Sequence, residues 1–132
     1  MIGLAIVALL GAAAPGPLQR DTTPRWVADR QIETFNRRDI DGFMALYADD
    51  AVVAEFPSGK VLMTGKAEIR KHYATAMKAN NIPPVRVDPR VIDGSFVVDH
   101  EVWDAKPGER GAAVWMYEIR GGLIRKAWSV RM

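Results

Sequence analysis

From Val85 to Val130 the chain reads as four apolar runs, Val85–Ile92, Ser95–Trp103, Ala112–Ile119 and Leu123–Val130. They are punctuated by Asp93-Gly94, the loop through Lys106-Pro-Gly-Glu109, and Gly121-Gly122. Connections this short leave no room for a crossover helix, so consecutive runs must pair antiparallel as a meander. A sheet of that kind has to bury one face, and the segments that can cover it precede it in the chain.

Those segments read as helices around one hairpin. Thr23-Pro24 is a hydroxyl cap followed by proline at the first helical position, and Ala28, Ile32 and Phe35 then recur at helical spacing with Gln31 on the same stripe. Asp39 caps a second helix whose apolar face is Ile40, Phe43, Met44 and Tyr47. Ala51 to Phe56 reads as a strand closed by Pro57-Ser-Gly59, with Lys60 to Met63 as its hairpin partner. Gly65-Lys-Ala-Glu68 opens a third helix carrying Ile69, His72, Tyr73, Ala76 and Met77 on one face, and Asn80-Asn-Ile-Pro-Pro84 ends it. The pattern predicts an α+β arrangement in which three helices cover the concave side of a curved, mainly antiparallel sheet. Such a cone has an open end and an internal pocket.

Composition narrows the chemistry. With 18 basic and 16 acidic residues the net charge is +2, too small an excess to indicate a nucleic-acid surface. The cluster Arg120, Arg125, Lys126 and Arg131 lacks interleaved aromatic residues and reads as a solvated face. Absence of cysteine excludes thiolate catalysis and cysteine-held metals, and two histidines, His72 and His100, are too few for a multi-histidine metal site. Neither a metal nor an organic cofactor is expected.

The uncharged start, MIGLAIVALLGAAA, followed by Pro15-Gly-Pro17, resembles the apolar core and cleavage region of a secretory signal peptide, although no Lys or Arg precedes it. It is shorter than the roughly 18 to 20 apolar residues that span a bilayer. Residues 1–21 are therefore expected to be a signal peptide or N-terminal arm, residues 22–132 the domain, and the mature protein secreted or periplasmic, with no membrane span.

Asp39-Ile-Asp-Gly-Phe43, Tyr47-Ala-Asp-Asp-Ala51 leading to Pro57-Ser-Gly59, Gly65-Lys-Ala-Glu-Ile69, and Gly122-Leu-Ile124 with Trp128 give the chain a family likeness. It resembles the nuclear transport factor 2-like (NTF2-like) superfamily, in particular its SnoaL-like and ketosteroid-isomerase-like branch, from about Arg25 to Met132. The superfamily includes isomerases, cyclases, dehydratases, ligand binders and adaptors. The resemblance implies a small hydrophobic, polyketide-like or steroid-like ligand and a homodimer formed through the outer sheet face.

The resemblance also implies site residues. Alignment on Tyr47-Ala-Asp-Asp-Ala51 puts Glu55 where the isomerases carry their proton-shuttling aspartate, and apolar surroundings would raise its pKa toward that of a general base. The plain alternative is a strand-end acid that reaches solvent or pairs with Lys60. The isomerases build their oxyanion hole from a tyrosine and a protonated aspartic acid. Gln31 and Trp115 stand at those positions here, and losing one such donor costs about 100- to 1,000-fold in rate, so steroid isomerisation of that type is not expected. Tyr47 and Tyr73 persist from the pattern.

His72, beside Tyr73 on an apolar helical face, is a further acid/base candidate whose simpler reading is a hydrogen-bonded core residue. His100 joins the candidates if Phe96, Val98, His100 and Val102 form the inward set of their strand; the opposite register would send it out and bring Asp99 and Glu101 in. Trp103, Trp115, Tyr117 and Trp128 are candidate pocket walls, with simple core packing as the alternative. The functional expectation is a cofactor-free isomerase, dehydratase or cyclase using a carboxylate acid/base. The alternative is a non-catalytic ligand-binding or dimerisation module.

Overall fold

Helix α1 (Pro24–Asn36) starts at its cap, with the Thr23 hydroxyl accepting from Trp26 N at 3.3 Å. Its buried positions Val27, Ala28, Gln31 and Thr34 fall three and four apart, which turns one stripe toward the sheet. The computed structural model describes residues 19–130 together with Gly11 and Gly16, so the expected signal segment lies almost wholly outside the described residues. None of the described helices is long and apolar enough to cross a membrane.

Helix α2 (Ile40–Met44) is capped by Asp39, whose carboxylate accepts from Gly42 N at 2.9 Å. It ends sooner than the apolar spacing suggests, because Tyr47 already belongs to strand β1 (Tyr47–Phe56), where it pairs with Ile124. Ile124 N donating to Leu46 O at 2.8 Å fixes that departure from the helix. Strand β2 (Val61–Thr64) returns antiparallel to β1, and helix α3 (Lys66–Ala79) follows. Glu68 in its first turn accepts from Thr64 N at 2.7 Å, and Asn80 ends it in the left-handed conformation.

The meander is formed by β3 (Arg86–Asp93), β4 (Phe96–Lys106), β5 (Glu109–Arg120) and β6 (Leu123–Val130). The six strands lie in the order β2-β1-β6-β5-β4-β3, antiparallel throughout except where β6 runs parallel to β1. Helices and sheet meet in a core that includes Val27, Phe43, Ile69, Val97, Ile119 and Ile124, all fully buried. Each such side chain contributes about 1.5–3 kcal/mol by leaving water. Phe43 ties the layers together, its ring 5.3 Å from that of Tyr47 on β1 and 4.6 Å from that of Tyr73 on α3.

The register of β4 settles which of its faces is inward. Val97 pairs with Tyr117, Asp99 with Trp115 and Glu101 with Ala113, and Val97, Asp99 and Glu101 are buried. The expected inward set is thereby corrected: Phe96 is 49% exposed and His100 lies on the opposite face, its Nδ1 2.7 Å from Asp88 O. Two acids can occupy the inner face because partners from other elements meet them there, as the next section describes.

Candidate functional site

A cavity of about 230 Å³ opens between the helices and the sheet. Gln31, Ile32 and Phe35 of α1 and Tyr73 of α3 form its roof, Ile82 and Val85 one side, and Glu101, Trp103, Ala113, Trp115 and Tyr117 of β4 and β5 its floor. Trp103 lies over Gly111 so closely that a Cβ there would stand 2.2 Å from the indole ring.

The walls are apolar apart from one connected set of polar groups. Gln31 Nε2 donates to Tyr117 Oη at 3.0 Å, and Tyr117 Oη donates to Glu101 Oε1 at 3.3 Å. Gln31 Oε1 and the Tyr47 hydroxyl have no hydrogen-bond partner among the described residues, although Tyr47 lies close to Gln31 and Tyr73. Burial pushes the hydroxyls of Tyr47, Tyr73 and Tyr117 well above the usual phenol range, so all three are neutral donors at physiological pH.

Glu101 is the acid that faces the cavity. Burial first, and the neighbouring Asp99 charge second, raise its pKa from 4.5 to about 7, against the opposing effects of the Tyr117 hydrogen bond and the Arg90 charge. Asp99, fully buried, is paired with Arg90 on β3 through Nε–Oδ1 at 2.6 Å and Nη2–Oδ2 at 2.8 Å. Arg90 also reaches Asp29 at the surface of α1. Burial works against the Arg90 charge, but the two aspartates more than offset it and its pKa is raised. The pair thus neutralises one of two adjacent inner carboxylates and leaves the other poised near neutrality.

Of the residues expected from the sequence, Gln31, Tyr73, Trp103, Trp115 and Tyr117 meet in this cavity, while Tyr47 is buried behind it. Trp128 faces the other side of the sheet, under the Lys126 ammonium at 4.9 Å. His72 is exposed, its ring edge-on to Tyr73 at 5.2 Å, and neither it nor His100 lines the cavity.

Glu55 shares the inward set of β1 with Ala51 and Val53, yet it sits at the end of the strand, outside the cavity wall, where it accepts from Ser58 Oγ at 3.1 Å. Arg90, Ile82 and Val85 carry no sequence signal for the site, since each meets the cavity or its acids from a part of the chain remote from β4 and β5.

Among the described residues no group of three or more His, Asp or Glu side chains is arranged to hold a metal ion. What the arrangement offers is a half-ionised carboxylate, neutral tyrosine donors and apolar walls.

Residues 28–127 match the family model of the SnoaL-like domain. An uncharacterized cystatin-fold protein from Novosphingobium aromaticivorans superposes with a TM-score of 0.69 at 22% identity, over 84% of this chain and 100% of that one. A Kribbella flavida protein provisionally described as a ketosteroid isomerase gives 0.65 at 21% identity, over 81% and 76% of the two chains. A Sinorhizobium meliloti protein provisionally described as a polyketide cyclase gives 0.65 at 19% identity, over 78% and 92%. At these identities the likeness is one of fold. The family match runs from the middle of α1 into β6 and so takes in every element that walls the cavity: the chain belongs to the SnoaL-like family, with the NTF2-like cone as its fold.

Proposed function

We propose that the protein is an acid–base catalyst acting on a small apolar molecule in the cavity between α1, α3, β4 and β5, with Glu101 as the group that takes up and returns the proton. The observation that carries this reading is the position of Glu101, a buried carboxylate on the wall of an otherwise apolar cavity, where burial raises its pKa to about 7. A base poised near the working pH is the most effective one, because it is substantially ionised yet still strong enough to accept a proton.

In this scheme the ionised Glu101 removes a proton from an activated C–H of the ligand. Tyr73, neutral and on the cavity roof, is available to donate to the oxygen on which charge develops. The protonated Glu101 then returns the proton at another carbon, giving isomerisation, or delivers it to a departing hydroxyl, giving dehydration. Cyclisation by attack of the carbanion on a carbonyl uses the same parts. Proton transfer by a carboxylate calls for no metal or organic cofactor.

Phenacyl alcohol (α-hydroxyacetophenone) is a suitable probe, being small, apolar and acidic at the carbon bearing its hydroxyl. NMR in deuterium oxide should show catalysed exchange of that C–H by the wild type and its loss in Glu101→Gln. Retention in Glu101→Gln with loss in Glu55→Gln would return the base role to Glu55.

The outer sheet face supports the non-catalytic alternative. Val91, Val98, Met116 and Trp128 form a continuous cross-strand row there, and Val91 is 59% exposed. A dimer in sedimentation equilibrium, together with no catalysed exchange, would favour a dimerisation or ligand-binding module.

A further inference from the structure

Helix α1 ends at a position where glycine is the common choice. Arg38 N donates to Phe35 O at 3.0 Å and Asp39 N to Thr34 O at 2.9 Å, the paired bonds that close a helix through a left-handed residue. Arg38 is that residue, with φ of 58°. A long side chain is disfavoured in this conformation, so the arginine has to compensate through what its side chain holds. Its Nη1 donates to Phe35 O at 2.9 Å, its Nε to Asn80 Oδ1 at 2.9 Å and its Nη2 to Ile82 O. The guanidinium also lies over the Phe35 ring, 5.1 Å from its centroid. Asn80, which ends α3, is left-handed as well, so the two helices finish in the same conformation with their terminal side chains bonded to each other.

The segment gripped in this way is a wall of the cavity. Between Ala79 and Arg86 the chain belongs to no helix or strand, and it brings Ile82 and Val85 to the cavity's side. The other lining residues stand on α1, α3, β4 and β5, where the backbone bonds of a helix or sheet hold them. Val85 is tied at both its backbone polar atoms by Asn36, whose Nδ2 donates to Val85 O at 2.9 Å and whose Oδ1 accepts from Val85 N at 2.8 Å. Ile82 is tied by Arg38. We infer that Arg38 is a positioning residue that holds the Ile82 wall toward Phe35, and so sets the width of the cavity and the size of ligand it admits. The inference rests on the reading of the cavity as the ligand site, and not on the role of Glu101. Without the guanidinium Asn36 still pins Val85, so the segment turns about that point and Ile82 moves away from Phe35.

The test titrates toluene and butylbenzene into the full-length wild type, Arg38→Gly, Asn80→Gly and Arg37→Ala, following the methyl resonances of Ile82 and Ala113 by NMR. Glycine suits the backbone at position 38 better than arginine does, so Arg38→Gly should melt within about 5 °C of the wild type. Its affinity ratio should move toward butylbenzene by more than about fivefold. Asn80→Gly removes one of the arginine's acceptors and should move the ratio the same way by a smaller factor. Arg37→Ala, at an exposed residue paired with Glu33, should leave the ratio unchanged. A ratio that stays within about twofold in Arg38→Gly, an equal shift in Arg37→Ala, or a wild type that binds neither hydrocarbon would overturn the role of Arg38. Should Arg38→Gly fail to fold, Asn80→Gly decides, and an unmoved ratio there counts against the proposal. Exchange of phenacyl alcohol checks the acid–base reading separately. A shifted ratio with no exchange in the wild type sinks that reading alone, and exchange with no shift sinks only the role of Arg38.

Discussion

Arg90 holds Asp99 with two parallel hydrogen bonds of 2.6 and 2.8 Å on the same inner face of the sheet that presents Glu101 two residues further along β4. The geometry is bidentate and the acid is fully buried, so one carboxylate is committed to structure while its neighbour stays available for chemistry.

Breaking that pair should cost far more than its surface extension. Arg90→Met leaves Asp99 charged and buried without a partner, for which about 3–5 kcal/mol of stability is the expected loss. Asp29 is 61% exposed in its pair with Arg90, so Asp29→Asn should cost less than about 1 kcal/mol. Urea denaturation of the two variants checks the contrast, and equal losses would refute it.

Glu101 makes stability depend on pH in a definite direction. Its pKa is raised on folding, so between 4.5 and about 7 the folded chain keeps a proton that the unfolded chain releases. Stability therefore falls as pH rises through that window; the cost is absent below it and complete above it, on the order of 3 kcal/mol. Glu101→Gln should remove this component of the slope and be more stable than the wild type at pH 8. Thermal melts from pH 4 to pH 8 measure it. The exchange rate of phenacyl alcohol, which needs the ionised form, should rise through an apparent pKa near 7.

Tyr117→Phe removes both the hydrogen bond that favours ionised Glu101 and the acceptor that holds Gln31. The Glu101 pKa should move further up, as read from its side-chain carboxyl carbon in an NMR titration, and stability should drop by about 1–3 kcal/mol. An unchanged or lowered pKa would show that the Tyr117 bond does not tune the acid.

Gly111→Ala should alter ligand size selection. The new methyl would meet the Trp103 ring at 2.2 Å, so the indole must move, and that ring is part of the cavity wall. Relative affinities for phenacyl alcohol and its para-butyl derivative should change by more than about fivefold. A constant ratio would mean that the ring moves without reshaping the site.

The helices and the meander were legible because their signals are local. Thr23-Pro24, Asp39 and Asp93-Gly94 each act within a few residues, and the last strand runs over Leu123–Val130, as its pattern predicts. The site was legible only in part. In Phe96-Val-Val-Asp-His-Glu-Val-Trp103 the set starting at Phe96 is the more apolar one, so the pattern favours the face that turns out, and the inward set is held by Arg90 on β3 and Tyr117 on β5, which no window around β4 contains. Glu55 shows the complementary case: the family alignment put it in the pocket, but it stands at the end of β1, outside the residues that line the cavity. Tyr47 was drawn out of its helix by pairing with a strand more than seventy residues away.

The place of β6 between β1 and β5 bears on how the protein is made. The last strand of the sheet to be made is a central one, so the hairpin of β1 and β2 has no sheet to join until β6 has followed β5. Until then the nascent chain holds two separate fragments with open edges, and ending translation at residue 122 would divide the sheet down its middle instead of trimming its border.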